Sequence, residues 1–156
     1  MDGITIARAA HVLAIVFWIG GVAFVTLVLL PALRRVEPHA RLATFEGLER
    51  RFGGQAKVAI LVAGASGFYM TWQLAAWDRF LDMKFWWMHA MLGVWLLFAF
   101  VLFVAEPLFL HAWFHRYAAK EPDRSFRLVQ FMHYALLTAS VVTTAAAVLG
   151  AHGALP

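Results

Sequence analysis

The sequence predicts an all-α membrane protein: a four-transmembrane-helix bundle with a short amphipathic helix in the first cytoplasmic loop. Three observations predict it. Of 156 residues, 63% are hydrophobic and only 14% charged, where a soluble domain carries about a quarter charged. Uncharged runs cover residues 9–33, 58–77, 85–105 and 128–156, and crossing a bilayer core takes about 20 helical residues. Ten cations (Arg34, Arg35, Arg41, Arg50, Arg51, Lys57, Arg116, Lys120, Arg124 and Arg127) lie on the two longer connections, against three (Arg8, Arg79 and Lys84) on the other side. That bias places both longer loops in the cytoplasm and both termini outside, in the periplasm of a bacterial inner membrane.

A single domain over 1–156 is expected, with spans at about 4–33, 57–77, 85–110 and 126–150. Nothing is left for a nucleotide-binding or nucleic-acid-binding unit. The net charge of +4 therefore reads as topology and contact with anionic lipid heads. With no cysteine, disulfides, thiolate metal sites and thioether-linked haem are excluded. The first run lacks a lysine-rich start and a small-residue cleavage site, so it reads as a retained span.

Span 1 starts near Ile4, with Arg8 and His11 three residues apart on one face. Pro31 and Arg34–Arg35 mark its cytoplasmic end. In residues 36–52, Leu42, Phe45, Leu48 and Phe52 alternate with charges. That pattern suits a helix on the membrane surface or a plain solvated loop helix, ended by Gly53–Gly54. In span 2, Gly64, Ser66, Gly67 and Thr71 form a small-residue face, suited to close packing or to a flat cofactor. The loop 78–84 is short enough to make spans 2 and 3 a hairpin, and Trp72, Trp77, Trp86 and Trp87 form an aromatic belt there. Pro107, after Glu106, is expected to kink span 3.

Of seven histidines, His39 lies in a loop and His152 in the tail. His11 and His89 sit at nearly matched depth near the outer face, the geometry of two axial ligands on one haem or two ligands of one metal. Each can also be a structural histidine bonded to another helix, although ionisable groups inside spans are functional candidates by default. His133, a second-tier metal ligand, faces Gln130, Ser140 and Thr144 and can equally belong to a buried hydrogen-bonded row. His111 and His115 read as interface residues. His89 and His111 are 22 residues apart, about 33 Å along a helix, too far for an efficient two-haem wire. Neutral imidazole suits haem iron, copper or zinc. A b-type haem fits a slot lined by Gly, Phe and Trp, with Trp18 at its wall and Arg8, Arg79 or Lys84 beside the propionates. Copper is the alternative, drawing on Met70, Met83, Met88, Met91 and Met132. A third reading is a structural subunit of a membrane complex.

The segments Ala10–His11–x6–Trp18–x–Gly20–Gly21 and Trp87–Met88–His89–Ala90–Met91 resemble motifs of the HemJ-like and CopD-like superfamily of small four-helix integral membrane proteins. Gly67–Phe68–Tyr69–Met70 and Phe126–Arg127 fit the same layout, so the resemblance spans nearly the whole chain. It implies that His11 and His89 are the functional histidines. HemJ-like proteins carry b-type haem and are linked to protoporphyrinogen oxidation; CopD-like proteins are linked to copper uptake. The HemJ lysine after His-Ala is Met91 here, and its Asn-Glu after Phe-Arg is Gln130–Phe131. The expected function is accordingly a membrane redox step, electron transfer involving quinone or oxidation of a porphyrin-like substrate, by a homo-oligomer or a subunit of a membrane complex.

Overall fold

The chain enters its first helix at Asp2, whose carboxylate accepts the Ile4 backbone N–H at 3.3 Å, filling one of the orphan donors of a helix start. The structure, a computed structural model, describes residues 2–155. Within it, nothing is described of the side chains of Pro38, His39, Leu42, Glu46, Glu49, Arg50, His111, Phe114, His115, Ala118, Ala119 and Pro122.

Helix α1 runs Gly3–Leu33 and widens to π geometry over Val25–Leu29. Helix α2 runs Pro38–Gln73. Two short 3₁₀ turns, Ala76–Leu81 and Met83–Phe85, lead into α3, Trp86–Phe100. That helix continues as a π-helical stretch, Val101–Leu110. Helix α4 is His111–Lys120 and α5 is Pro122–Ala151. All regular structure among the described residues is helical.

Three stretches are long and apolar enough to cross a membrane: Gly3–Leu33, Met83–Leu110 and Asp123–Ala151. They match the first, third and fourth expected spans. The second expected span lies in the C-terminal half of α2, where Gly64, Ser66, Gly67, Tyr69 and Gln73 dilute the apolar run.

Residues 36–52 differ from expectation. Gly53–Gly54 does not end a helix there; α2 passes through both glycines without a break. A helical glycine costs only about 1 kcal/mol against alanine, and packing by Phe45 and Phe52 before the pair and by buried Ala56 and Ile60 after it offsets that. Phe45 is buried with Leu30, Leu33 and Phe126, and the Phe52 ring lies directly against Gly21. Two residues of the apolar face, Phe45 and Phe52, therefore dock inside the bundle, while Leu48 stays exposed.

The helices close into a ring. α1 packs most extensively on α2, and α3 on α5, while α1–α5 and α2–α3 contacts complete the circuit. The centre holds Ala14, Trp18, Val22, Ala59, Ile60, Ala63, Phe98 and Leu137. Alanine at three of these positions lets the backbones approach closely.

Arg41 clasps the end that carries both longer connections. It is 6% exposed, its Nη1 donates to Asp123 Oδ1 at 2.7 Å, and its Nη2 donates to the carbonyls of Arg34 (3.4 Å) and Val36 (3.2 Å). At the opposite end α2 stops at Ala75, which takes a left-handed conformation, φ 49°. The aromatic belt holds in part there. Trp72, Trp77 and Trp86 are exposed, but Trp87 is buried, its ring pressed on Gly150 of α5.

Candidate cofactor site

His11 points from α1 onto the small-residue face of α2. Its Nδ1 lies 2.9 Å from the Ala63 carbonyl and 3.1 Å from Ser66 Oγ. A carbonyl only accepts, so Nδ1 carries the proton and donates. Ser66 Oγ in turn donates to the Val62 carbonyl at 2.6 Å. The ring is thereby fixed in one tautomer with a bare lone pair on Nε2, and no hydrogen bond engages that nitrogen among the described residues. This is how a protein prepares a ligating imidazole: one nitrogen held by a carbonyl, the other presented. Gly67 makes room for it, since a Cβ there would stand 3.3 Å from His11 Cε1.

His89 is placed differently. Its Nδ1 lies 3.1 Å from the Phe85 carbonyl and its Nε2 2.9 Å from the Phe80 carbonyl. Both neighbours are acceptors, so both contacts are hydrogen bonds only when both nitrogens carry protons. Ligation through Nε2 requires the ring to leave Phe80. The Phe80 ring also packs edge-on against the imidazole at 5.6 Å.

Trp18 meets Phe98 edge-to-face with centroids 5.0 Å apart, which sets α1 and α3 in register. His11 is seven residues above Trp18 and His89 nine above Phe98, so the two histidines differ by about 3 Å in height. They share a level but face different partners, α2 for one and the α2–α3 connection for the other.

The remaining candidates are distributed around this level. Arg8 is exposed on α1 one turn outward of His11. Trp18 is 3% exposed and is part of the packed core; its indole N–H has no hydrogen-bond partner. The small-residue face of α2 is occupied by side chains, Gly67 by His11 and Gly64 by the Trp95 ring, and Trp95 Nε1 donates to the Ile60 carbonyl at 2.9 Å. His133 donates from Nδ1 to the Val129 carbonyl of its own helix at 2.9 Å. Ser140 and Thr144 likewise bond back along α5. The expected polar row is a set of separate bonds, of which only Gln130 crosses to α1, at the Thr26 carbonyl. The side chains of His39, His111 and His115 lie outside the described residues. Of the methionines considered for copper, Met88 is buried while Met83 and Met132 are exposed. Among the described residues no group of three or more His, Cys, Asp or Glu side chains converges to hold a metal ion.

One pair has no counterpart in the reading of the sequence. Lys57 Nζ bonds Glu106 Oε2 at 2.9 Å, each side chain about one-third exposed (35% and 34%). The sequence places Lys57 at the boundary between the first connection and span 2, and Glu106 inside span 3. They meet because α2 packs against both α3 and the π-helical stretch Val101–Leu110 that carries Glu106.

His11 could ligate a metal through Nε2, while the small-residue face of α2 beside it is filled by the His11 and Trp95 rings. A second ligand from His89 needs one hydrogen bond exchanged. No family, curated protein or solved structure matches this chain.

Proposed function

We infer that this chain crosses a bacterial inner membrane four times, with both termini periplasmic, and binds a b-type haem through His11 for a redox step. The observation that carries the reading is the His11 ring, its Nδ1 2.9 Å from the Ala63 carbonyl and its Nε2 in no hydrogen bond among the described residues. Four spans are supported by the ring itself, because α2 packs along two span-length helices and must run the bilayer with them. The orientation follows from the ten-to-three distribution of cations.

When bound, the haem supplies a one-electron iron couple. The protein's part is to hold and tune it. Ala63 and Ser66 fix the His11 tautomer, Gly67 gives the ring space, and Arg8 is a cation at the height of a propionate. His89 would supply a second ligand by giving up its hydrogen bond to the Phe80 carbonyl. A haem held there would exchange electrons with a quinone or a porphyrin-like substrate, both of which reside in the membrane.

The test is an absorbance spectrum of detergent-purified protein, oxidised and then dithionite-reduced, from cells supplied with ample haem. A Soret band with sharp α and β bands on reduction is expected, and His11→Ala abolishes it. His89→Ala converts a six-coordinate low-spin spectrum to a five-coordinate high-spin one. A colourless protein overturns the haem reading and makes copper analysis the next measurement. Full haem content in both variants overturns the assignment of the ligands.

A further inference from the structure

At the arginine-rich end, α4 and α5 enclose a groove of about 370 Å³. One wall is Trp113 and Tyr117, one turn apart on α4, with rings stacked at 5.1 Å and 27°. The other wall is Arg124, Arg127, Leu128 and Phe131 of α5. Along α5 the last charge of the connection is Arg127, and the chain is uncharged apart from histidine from Leu128 to its end. The groove therefore straddles the level where headgroups meet hydrocarbon, with cations on one side of that level and exposed apolar rings on the other.

We propose that this groove binds one anionic phospholipid, its phosphate on Arg127 and Arg124 and an acyl chain along Leu128 and Phe131. Arg127 makes no ion pair among the described residues. Arg124 reaches Glu121 at 3.3 Å, but both side chains are well exposed (68% and 53%), so the pair is weak and readily exchanged. The other acid of this helix start, Asp123, is taken by Arg41. A planar guanidinium beside another matches phosphate oxygens better than scattered lysines do. A water-soluble anion would leave the apolar half of the groove bare; Phe131 alone is 69% exposed. An amphiphile covers both halves, and Trp113 and Tyr117 are the side chains that favour this depth.

The probe is phosphatidylglycerol with brominated acyl chains, titrated into the protein in a neutral detergent, against brominated phosphatidylcholine. The signal is the Trp113 share of fluorescence quenching, the difference between the protein and Trp113→Phe. Phosphatidylglycerol should reach half-quenching at a concentration about fivefold lower, the effect of one arginine near a charged headgroup. Arg127→Gln should remove that preference and Arg124→Gln reduce it, while Arg35→Gln, a cation of the same end outside the groove, leaves it intact. Millimolar inorganic phosphate should displace no more lipid than chloride of equal ionic strength. Equal quenching by the two lipids overturns the proposal, as does equal loss in Arg35→Gln, which would mark diffuse attraction. Displacement by phosphate alone would mark a soluble-anion site and overturn it too. Unchanged circular dichroism in each variant separates loss of the site from loss of the fold.

Discussion

Gln130 Nε2 donates to the backbone carbonyl of Thr26 across 2.8 Å, joining α5 to α1 where both are buried. The bond exists because of Pro31. In the π-helical stretch Val25–Leu29 the Leu30 N–H bonds Val25, so in that register the Thr26 carbonyl looks to residue 31 for its donor. Proline has none. Thr26 is fully buried, and an unmatched carbonyl there would cost about 1–3 kcal/mol.

Gln130→Leu should therefore lower stability by about that amount, read as a reduced unfolding temperature in detergent. Pro31→Ala restores an N–H within reach of Thr26. In the Pro31→Ala background the penalty of Gln130→Leu should shrink by about 1 kcal/mol, a coupling measurable by a double-mutant cycle. Strict additivity of the two changes would refute the link between the proline and the glutamine.

Arg41 and Asp123 form a 2.7 Å ion pair whose partners are not equals. The Arg41 side chain is 7% exposed and that of Asp123 69%. The carboxylate is already in water, so Asp123→Asn should cost less than about 1 kcal/mol. Arg41→Ala strips donors from two carbonyls and removes a guanidinium lying 5.5 Å over the Phe126 ring. It should cost about 2 kcal/mol or more. Arg41→Lys should rescue little, since one ammonium cannot reach three acceptors in the fork geometry. Chemical denaturation of the three variants in one detergent decides it; equal losses for Asp123→Asn and Arg41→Ala would show the ion pair, not the buried guanidinium, to be the source.

Gly67 controls the His11 ring through space. A single Cβ would stand 3.3 Å from Cε1, so alanine needs a shift of a few tenths of an ångström and a branched side chain displaces the ring. On the haem reading, Gly67→Val should lose most of the Soret absorbance, while Ser66→Ala, which leaves the stronger acceptor Ala63 in place, should keep most of it. Retained haem in Gly67→Val would mean that the iron does not sit on His11.

How much of this was legible follows the kind of partner each residue has. That His11 needs a partner was plain from an imidazole in an apolar run; the small-residue face of α2 suggested close packing or a flat cofactor, not the face that receives His11. That the acceptor is the Ala63 carbonyl was not, because a backbone oxygen has no sequence signature. The matched height of His11 and His89 was readable from residue counts. The occupation of His89 by Phe80 was not, since it depends on the 3₁₀ fold of the connection. Gly53–Gly54 misled for the opposite reason: a strong local signal was overridden by the packing of Phe45 and Phe52 before the pair and of Ala56 and Ile60 after it. Pro107 announced a disturbed helix and Pro31 only a helix end; the π-helical stretches in or beside which they lie have no sequence signature, and at Pro31 the Thr26 carbonyl is taken by Gln130 of another helix.

Lys57 and Glu106 test whether α2 enters the bilayer at the height the packing assigns. The pair lies beside the π-helical stretch that contains Pro107, with both side chains one-third exposed. Removing either charge leaves the other beside lipid, where an unpaired charge is unfavourable. Lys57→Met and Glu106→Leu should each destabilise by about 1–3 kcal/mol, and the double variant should recover most of that loss. The measurement is unfolding in lipid nanodiscs compared with detergent, where water reaches both groups. If the penalties of the single variants are no larger in nanodiscs, Lys57 stands in water and α2 crosses higher than its contacts with Trp95 and Glu106 require.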